Sequence, residues 1–392
     1  MQLPCGASLL PECIAKRFSI VGIGALSGLG HGIEAHHRAI SEGRTAIGRL
    51  GEILGQASSH AARPGAWISP REMLTHRKWS PVSMAALHAA KEAVAAAGWT
   101  PEELASAALV VGTSRGNAAG WLGEWPGRRP FKLMAASNTI HSEPATAISI
   151  ELGIYGANHV TASGCSAGLD ALGLGKLLLD AGSADRVLVV AVDLPLVPIL
   201  LDGYAASGLL GSGDKLDPFG DDADGFYPGE GAAALAMSSV ESGKTVFSHF
   251  ANNSDGRDPV GVPKDGGRTP LLIDDAIRQY GEPCAVCPHA TGTAVQARAE
   301  REIFAKSISS PGTTLHLLKP YFGHTVGASG LLESAVLLRF MEDSQLPPNL
   351  AGTHSIDTHH APVEPVASAG PVFKLAHGMG GHNALAVFQH FT

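Results

Sequence analysis

Cysteine is scarce in this chain, with five in 392 residues. An odd, sparse set argues against a disulfide framework and for a reducing compartment. Charge is scarce as well: Asp, Glu, Lys and Arg make up 16% of the residues and sum to −8. A general nucleic-acid binder needs a positive field that displaces counterions from phosphate, so that class is excluded, although a local basic patch is compatible with the composition. No stretch offers the roughly 20 uninterrupted apolar residues that span a bilayer. The most apolar run, VLVVAVDLPLVPILL, is broken by Asp193, Pro195 and Pro198. The opening, MQLPCGASLLPECIAKRF, places Lys16 and Arg17 after its short apolar stretch, the reverse of a secretory signal, so a cytoplasmic location is expected. Nor is there a repeat period of 20 to 50 residues, which removes solenoids and propellers.

What is present is apolar and small. Hydrophobic residues account for 45% of the chain and 48 positions are glycine, which predicts interior strands and helices joined by tight turns, as two domains or one fused unit. FSIVGIGALS (18–27) reads as a buried strand entering a glycine turn, and HGIEAHHRAISEG follows with helical spacing. Residues 82–98 form an alanine-rich helix closed by glycine, and AALVVGTS is the next strand. NHVTASGC, AGLDALGLGKLLLDAG and RVLVVAVD read as strand, buried helix, strand. Past residue 240 the pattern resumes with a helix in DAIRQYG, strands into turns in CAVCPHATGT and TTLHLLKPYFGHT, a helix in ASGLLESAVLLRFME, and a closing turn and strand in HGMGGHNALAVFQH. VPKDGGRTP and LAGTHSIDTHHAPVEP read as surface loops.

The junction TASGCSAGLD carries two rival nucleophiles. Cys165 by itself reads as a small packed side chain. At the first turn of a helix, however, unpaired N–H groups and the positive dipole end lower a thiol pKa toward the thiolate. The same residues, Gly164-Cys165-Ser166-Ala167-Gly168, match the G-x-S-x-G elbow of a hydrolase with Ser166 as nucleophile. Both readings need a strand, a sharp turn and a helix, so the partners must decide between them. His289 and His324 each stand where an apolar strand enters a turn, the edge at which α/β sites gather. With Cys165 they make a Cys/His/His set suited to activating a thioester or binding a leaving carboxylate.

Three other patterns carry less. GIGALSGLG has Ser27 where a dinucleotide fingerprint needs its third glycine. Cys284, Cys287 and His289 lack a second ligand pair with zinc spacing, so no metal is expected. Asp222-x-Asp224-Gly225 has Gly220 where a calcium loop needs a ligand and reads as a solvated turn.

Six blocks taken in order resemble the β-ketoacyl synthase family of the thiolase superfamily over nearly the whole chain: VGIGALSGLGHGIEAHHRAISEGRTAI, TASGCSAG, DPFGDDADGFYPGEGAAALAM, HATGTAVQARAE, LKPYFGHTVGASGLLESA and GMGGHNALAVF. The resemblance implies an α/β, thiolase-like five-layer αβαβα sandwich of two similar halves, residues 1–240 carrying the nucleophile and 241–392 carrying both histidines. It implies a decarboxylative Claisen condensation in a type II fatty acid or polyketide/polyene pathway, with Cys165 taking an acyl chain as a thioester from acyl carrier protein. His289 and His324 would stabilise the enolate, and the backbone N–H groups of Cys165 and Met379 the tetrahedral oxyanions. Lys319 would orient the His324 region electrostatically, Glu300 would anchor the Lys319 segment by ion pairing, and Thr291 and Thr293 would bind the phosphopantetheine arm. No cofactor is bound under this reading, because phosphopantetheine arrives on the carrier. The acidic carrier calls for a basic landing spot: Arg71, Arg77 and Lys78, or a second cluster of Arg128, Arg129 and Lys132. The partner is a second copy or a ketosynthase-like chain-length factor; a non-catalytic partner of that kind is itself an alternative identity for this chain. Ala290 departs from the family's usual glycine and Met379 from its gating phenylalanine; a flexible methionine would gate a pocket more loosely. The segment EWPGRRPFKLMAASN is where a dimer-facing acyl tunnel is expected.

Overall fold

One strand order occurs twice in this protein. The structure, a computed structural model, describes residues 18–122, 137–239, 245–356 and 359–390. In the first half, β1 (Phe18–Ser27), β2 (Ala108–Gly112), β3 (Asn158–Thr161), β4 (Arg186–Asp193) and β5 (Gly231–Ser238) lie in the order β3-β2-β4-β5-β1. In the second, β6 (Thr245–Ser254), β7 (Ala285–Cys287), β8 (Thr314–Leu315), β9 (Val372–Gly378) and β10 (His382–His390) lie in the order β8-β7-β9-β10-β6. The pairing senses repeat as well. The pairs β3-β2 and β2-β4 are parallel while β4-β5 and β5-β1 are antiparallel, and the counterparts in the second half follow suit. The halves join where β1 meets β6 antiparallel, through Phe18 opposite Phe247 and Ser19 opposite Val246.

Helices complete the layers. Between the two half-sheets run α3 (Ala167–Asp180) and α7 (Ser329–Glu342), whose side chains share one core with both sheets, including Leu169, Leu172, Leu331, Leu332 and Val336. On the outer face of the first sheet lie α1 (Pro81–Ala97) and α2 (Glu143–Leu152); on that of the second lie α5 (Thr269–Tyr280) and α6 (Ala294–Ser307). This is the five-layer sandwich of two similar halves. Between α2 and α5 in sequence comes α4 (Pro198–Ala206), which packs in a smaller apolar cluster with Leu210 and Phe226.

Local chemistry accounts for the elements that carry the site. The Ser80 side chain caps α1 by accepting from Ser83 N, and Gly98 ends it in the left-handed conformation at φ 63°. The glycine run of β1 serves packing: a Cβ on Gly22 or Gly24 would collide with the carbonyls of Ala93 and Ala89, so α1 rests directly on the strand backbone. In TTLHLLKPYFGHT only Thr314–Leu315 pairs as a strand, and Lys319–Phe322 is a single helical turn; the expected longer strand is replaced by a buried turn that delivers Lys319 and His324. Among the described residues, no helix is long and apolar enough to cross a membrane.

Candidate active site

The turn that bears Cys165 and both histidines meet where the two halves face each other. After β3, residues Gly164–Ser166 form one 3-10 turn that runs into α3, with Gly164 at φ 65°. His289 follows β7 and His324 follows the Lys319–Phe322 turn. Cys165 Sγ lies 3.3 Å from His324 Nε2. The rings of His289 and His324 stand edge to face, with centroids 5.3 Å apart. The sulfur and one nitrogen from each imidazole lie within 4.8 Å of one another, the one such three-donor cluster found among the described residues. Three protein donors are one short of a closed structural zinc site.

Partners separate Cys165 from Ser166. The Ser166 hydroxyl is fully buried, its single proton shared between Ser163 O at 2.9 Å and Asp170 Oδ2 at 3.0 Å, and no imidazole is among its partners in the described residues, so the Ser–His pair of the hydrolase reading does not form there. Asp170 also accepts from the Ser163 hydroxyl and, at 3.0 Å, from Asn252 Nδ2, which braces the turn from below. Glycines bring the C-terminal turn onto the turn that bears Cys165. A Cβ on Gly164 would sit 3.4 Å from Met379 N, and one on Gly378 would collide with Ser163 O. The turn that bears Cys165 thereby lies against the backbone of Gly378 and Met379. The Met379 side chain packs with Leu201, Tyr204 and Phe226.

The electrostatics differ from the expectation based on the helix start alone. Burial pushes the Cys165 thiol up to about 11, against the pull of the Arg115 charge; Asp193 raises it further and Lys319 lowers it. The thiol therefore rests protonated, and its proton has a nearby acceptor in His324 Nε2. Burial, then the Lys319 charge, holds His289 and His324 well below the ordinary imidazole value, so both are neutral. His324 Nδ1 and the Ser329 hydroxyl are 3.0 Å apart, and a hydroxyl can serve either tautomer: accepting from Nδ1–H leaves Nε2 free to accept, and donating to Nδ1 leaves Nε2–H to donate.

A buried charge network lies beneath the histidines, and one expected pairing is corrected there. Lys319 pairs with Glu333 at 2.7 Å and not with Glu300, and it also donates to the His289 carbonyl. Glu333 is shared with Lys374, likewise at 2.7 Å, and all three side chains are at most 1% exposed. Glu300 instead accepts the backbone N–H of His289 at 2.7 Å and of Ala290 at 3.0 Å; burial raises its carboxyl to about 7 despite those bonds and the Lys319 charge. Glu333 and Lys374 escaped sequence reading, although each is a lone charge in an apolar run, SGLLESAVLL and PVFKLA, and such a residue must find a partner. Asp193 was noted only as an interruption. Its carboxylate accepts Ser114 N, Arg115 N, Gly327 N and the Thr113 hydroxyl at 2.8–3.0 Å, tying the loop after β2 to the turn after His324. Burial raises it to about 6. His377 at the end of β9 also went unnoticed: its ring meets that of His289 at 5.6 Å and bonds Thr269 and Gln296.

Two strained residues flank the imidazoles. Val326, two residues past His324, holds φ 48°, an outlier for a β-branched side chain. Ala290, which replaces a glycine in the motif, holds φ 44°. A left-handed alanine costs about 1–2 kcal/mol, partly offset in a glycine variant by the greater freedom of its unfolded chain. Ala290→Gly is accordingly expected to raise the thermal midpoint, with a net gain of about 0.5–1 kcal/mol. A lower midpoint for the variant would contradict the strain.

The remaining candidates are placed as follows. Thr293 caps α6, accepting from Gln296 N, and its hydroxyl lies 3.2 Å from that of Thr291. Arg71 is paired with buried Glu230, and Lys78 lies 3.6 Å from Glu151 and over the Trp79 ring, which leaves exposed Arg77 as the cation of that segment without a partner among the described residues. Arg128, Arg129 and Lys132, with most of EWPGRRPFKLMAASN, lie outside the described residues. Cys287 is buried and donates to Glu333, and Asp224 accepts from Ser212; among the described residues neither the cysteine pair nor the acidic turn forms a three-donor cluster.

Comparison with known proteins gives a consistent picture. The "Beta-ketoacyl synthase, N-terminal domain" family profile matches residues 15–242, and the C-terminal domain profile of the same family matches 245–353. A "3-oxoacyl-[acyl-carrier-protein] synthase 2" of Rhizobium meliloti (strain 1021) is 25% identical, covering 96% of this chain and 99% of the relative. Among solved structures, a type II PKS ketosynthase in complex with its acyl-carrier protein superposes with a TM-score of 0.82 at 22% identity, over 96% of this chain and 100% of that one. The ishigamide ketosynthase/chain length factor does so with a TM-score of 0.82 at 20% identity and the same coverage. With two profiles covering most of its length in the right order, and the thiolase-like sandwich beneath them, this chain belongs to the β-ketoacyl synthase family.

Proposed function

We propose that the protein is an active condensing enzyme, a 3-oxoacyl-[acyl carrier protein] synthase of the type II fatty acid or polyketide class. The observation that carries this reading is the meeting of one thiol and two neutral imidazoles, drawn from opposite halves, within 4.8 Å. In the first step Cys165 Sγ attacks the thioester carbonyl of a carrier-bound acyl group. The Cys165 and Met379 amides face the oxyanion, and the thiol proton passes by way of His324 Nε2 to the departing carrier thiol. A malonyl thioester on a second carrier then loses CO₂. N–H donors of His289 and His324 stabilise the enolate oxygen, and its carbon attacks the Cys165 thioester, releasing a 3-oxoacyl carrier thioester and the cysteine. Phosphopantetheine enters with the carrier past Thr291 and Thr293, and Arg77 offers the acidic carrier a free cation. The histidines and thiol that a non-catalytic chain-length partner would not need are all in place.

The assembly we propose is a dimer, with a second copy or with a ketosynthase-like partner. The edge strand β3 pairs on one side only, and Ile150, Tyr155 and Leu177 near it are 56%, 84% and 61% exposed, an apolar edge of the kind that proteins cover. Light scattering of the isolated protein should give about twice the 40.3 kDa chain mass for a homodimer; a monomer that gains mass only with a ketosynthase-like partner would identify the heterodimer. The catalytic reading is tested by intact mass after incubation with acyl carrier thioesters. An added acyl group mapping to the Cys165 peptide supports it, and a mass unchanged by every donor would turn the assignment toward the non-catalytic partner.

A further inference from the structure

An arginine whose charge acts on the Cys165 thiol has part of its hydrogen-bonding capacity unused. Arg115 follows β2 in the loop that Asp193 fastens, with Ser114 N and Arg115 N donating to its carboxylate at 2.8 and 2.9 Å and Gly116 N donating to Thr113 Oγ1 at 2.9 Å. The backbone is thus fixed and only the side chain can choose a direction. The guanidinium lies over the Tyr204 ring, 5.8 Å from its centroid, and donates to the Tyr204 hydroxyl, which leaves Nε–H as the unmet donor. Tyr204 meets Phe226 edge to face at 5.3 Å, Phe226 meets His324 in the same way at 5.3 Å, and His324 touches Cys165. These contacts run as a chain of side chains from the guanidinium to the sulfur, and the Arg115 charge is the largest of those that act on the thiol. Arg115 Nε is buried without a hydrogen-bond partner, and the guanidinium has no carboxylate ion pair among the described residues. Tyr204 and Phe226 belong to an apolar cluster with Leu196, Leu201 and Leu210, against which Met379 packs.

A half-buried cation with an unmet N–H is unfavourable until an acceptor arrives, and the planar fork of guanidinium suits carboxylate or carbonyl oxygen. A saturated hydrocarbon chain entering this space would bury the N–H further without satisfying it. We propose that Arg115 is a specificity-determining residue that selects, for transfer to Cys165, acyl groups carrying an oxygen acceptor, a carboxylate or an oxo group, over plain alkanoyl groups of the same length. The inference rests on the condensing-enzyme reading, and the step it governs is thioester exchange. The Sγ–acyl bond forms as the donor's S–acyl bond breaks, and the thiol proton ends on the released donor thiol.

The test follows Cys165 acylation by intact mass with three pantetheine thioesters of equal chain length: alkanoyl, 3-oxoacyl and ω-carboxyacyl. The wild type should be acylated faster by at least one oxygen-bearing donor than by the alkanoyl donor, and Arg115→Leu should reduce or reverse that ratio by about tenfold or more, the discrimination lost when a polar site no longer meets its partner. Because the readout is a ratio, a general loss of thiol reactivity in the variant cancels. The 3-oxoacyl and ω-carboxyacyl arms tell which acceptor is taken. An unchanged ratio in Arg115→Leu, or a wild type that prefers the alkanoyl donor, overturns the proposal while leaving the condensing enzyme standing. A wild type that takes none of the three donors, nor any carrier-bound acyl group, overturns the condensing enzyme itself.

Discussion

Replacing His289 by alanine should lower condensation about 10²–10³-fold, the loss typical of removing one donor from a developing oxyanion, while Cys165 still takes up an acyl group. The reason for the split is positional. His324 contacts the sulfur at 3.3 Å, whereas His289 reaches the site through its ring alone, its backbone being engaged by Glu300 and Lys319. His324→Ala should therefore impair both half-reactions and His289→Ala chiefly the second. Release of CO₂ from a malonyl thioester, measured beside acyl-adduct formation on the same protein, separates them. Equal loss of both half-reactions in His289→Ala would mean that the two imidazoles do not divide the work as proposed.

The second large effect concerns stability. Glu333 is the shared counter-ion of Lys319 and Lys374, and all three side chains are essentially inaccessible to water. Removing one partner of a buried ion network leaves uncompensated charge, so Glu333→Gln should cost about 3–5 kcal/mol, read from urea midpoints or as insolubility on expression. The double variant Lys374→Met/Glu333→Gln, with one cation fewer to leave unpaired, should be less destabilised than Glu333→Gln. A single variant within about 1 kcal/mol of wild type would show the network to be better solvated than its burial implies. Acid dependence gives an independent check. Burial alone would raise the Glu333 carboxyl, but the two ammonium groups outweigh it and hold the group below its ordinary value of 4.5. A carboxylate depressed on folding contributes its stability in full above the unfolded pKa and loses it as pH falls through the folded one. The wild type's advantage over Glu333→Gln should therefore be constant above pH 4.5 and shrink below it.

The network also shows why sequence reading assigned Glu300 to the wrong partner. In sequence, Glu300 and Glu333 are each a carboxylate on a helix near a histidine motif, and nothing local says which helix face meets Lys319. Packing α7 between the sheets places Glu333 against the ammonium, while α6 on the outer layer aims Glu300 at two backbone N–H groups. The same distinction separates Cys165 from Ser166. Adjacent residues on a 3-10 turn point about 120° apart, and which one meets a histidine depends on an element some 160 residues away. The direction of the thiol's shift differs from the expectation for a related reason: the helix start is visible in sequence, but the desolvation of the half-buried sulfur by the other half is not.

The order and type of most elements, the junction that bears Cys165, and the two histidine turns were legible in the chain alone, because hydrophobic period, glycine turns and capping residues act over a few residues and are written locally. What only long-range packing settles is that the halves repeat one strand order, that Glu333, Lys374, Asp193 and His377 gather around the two histidines and Cys165, and that the Arg115 charge acts on the thiol. Those facts are set by contacts between residues tens to hundreds of positions apart, where electrostatics and desolvation depend on distances that no local pattern encodes.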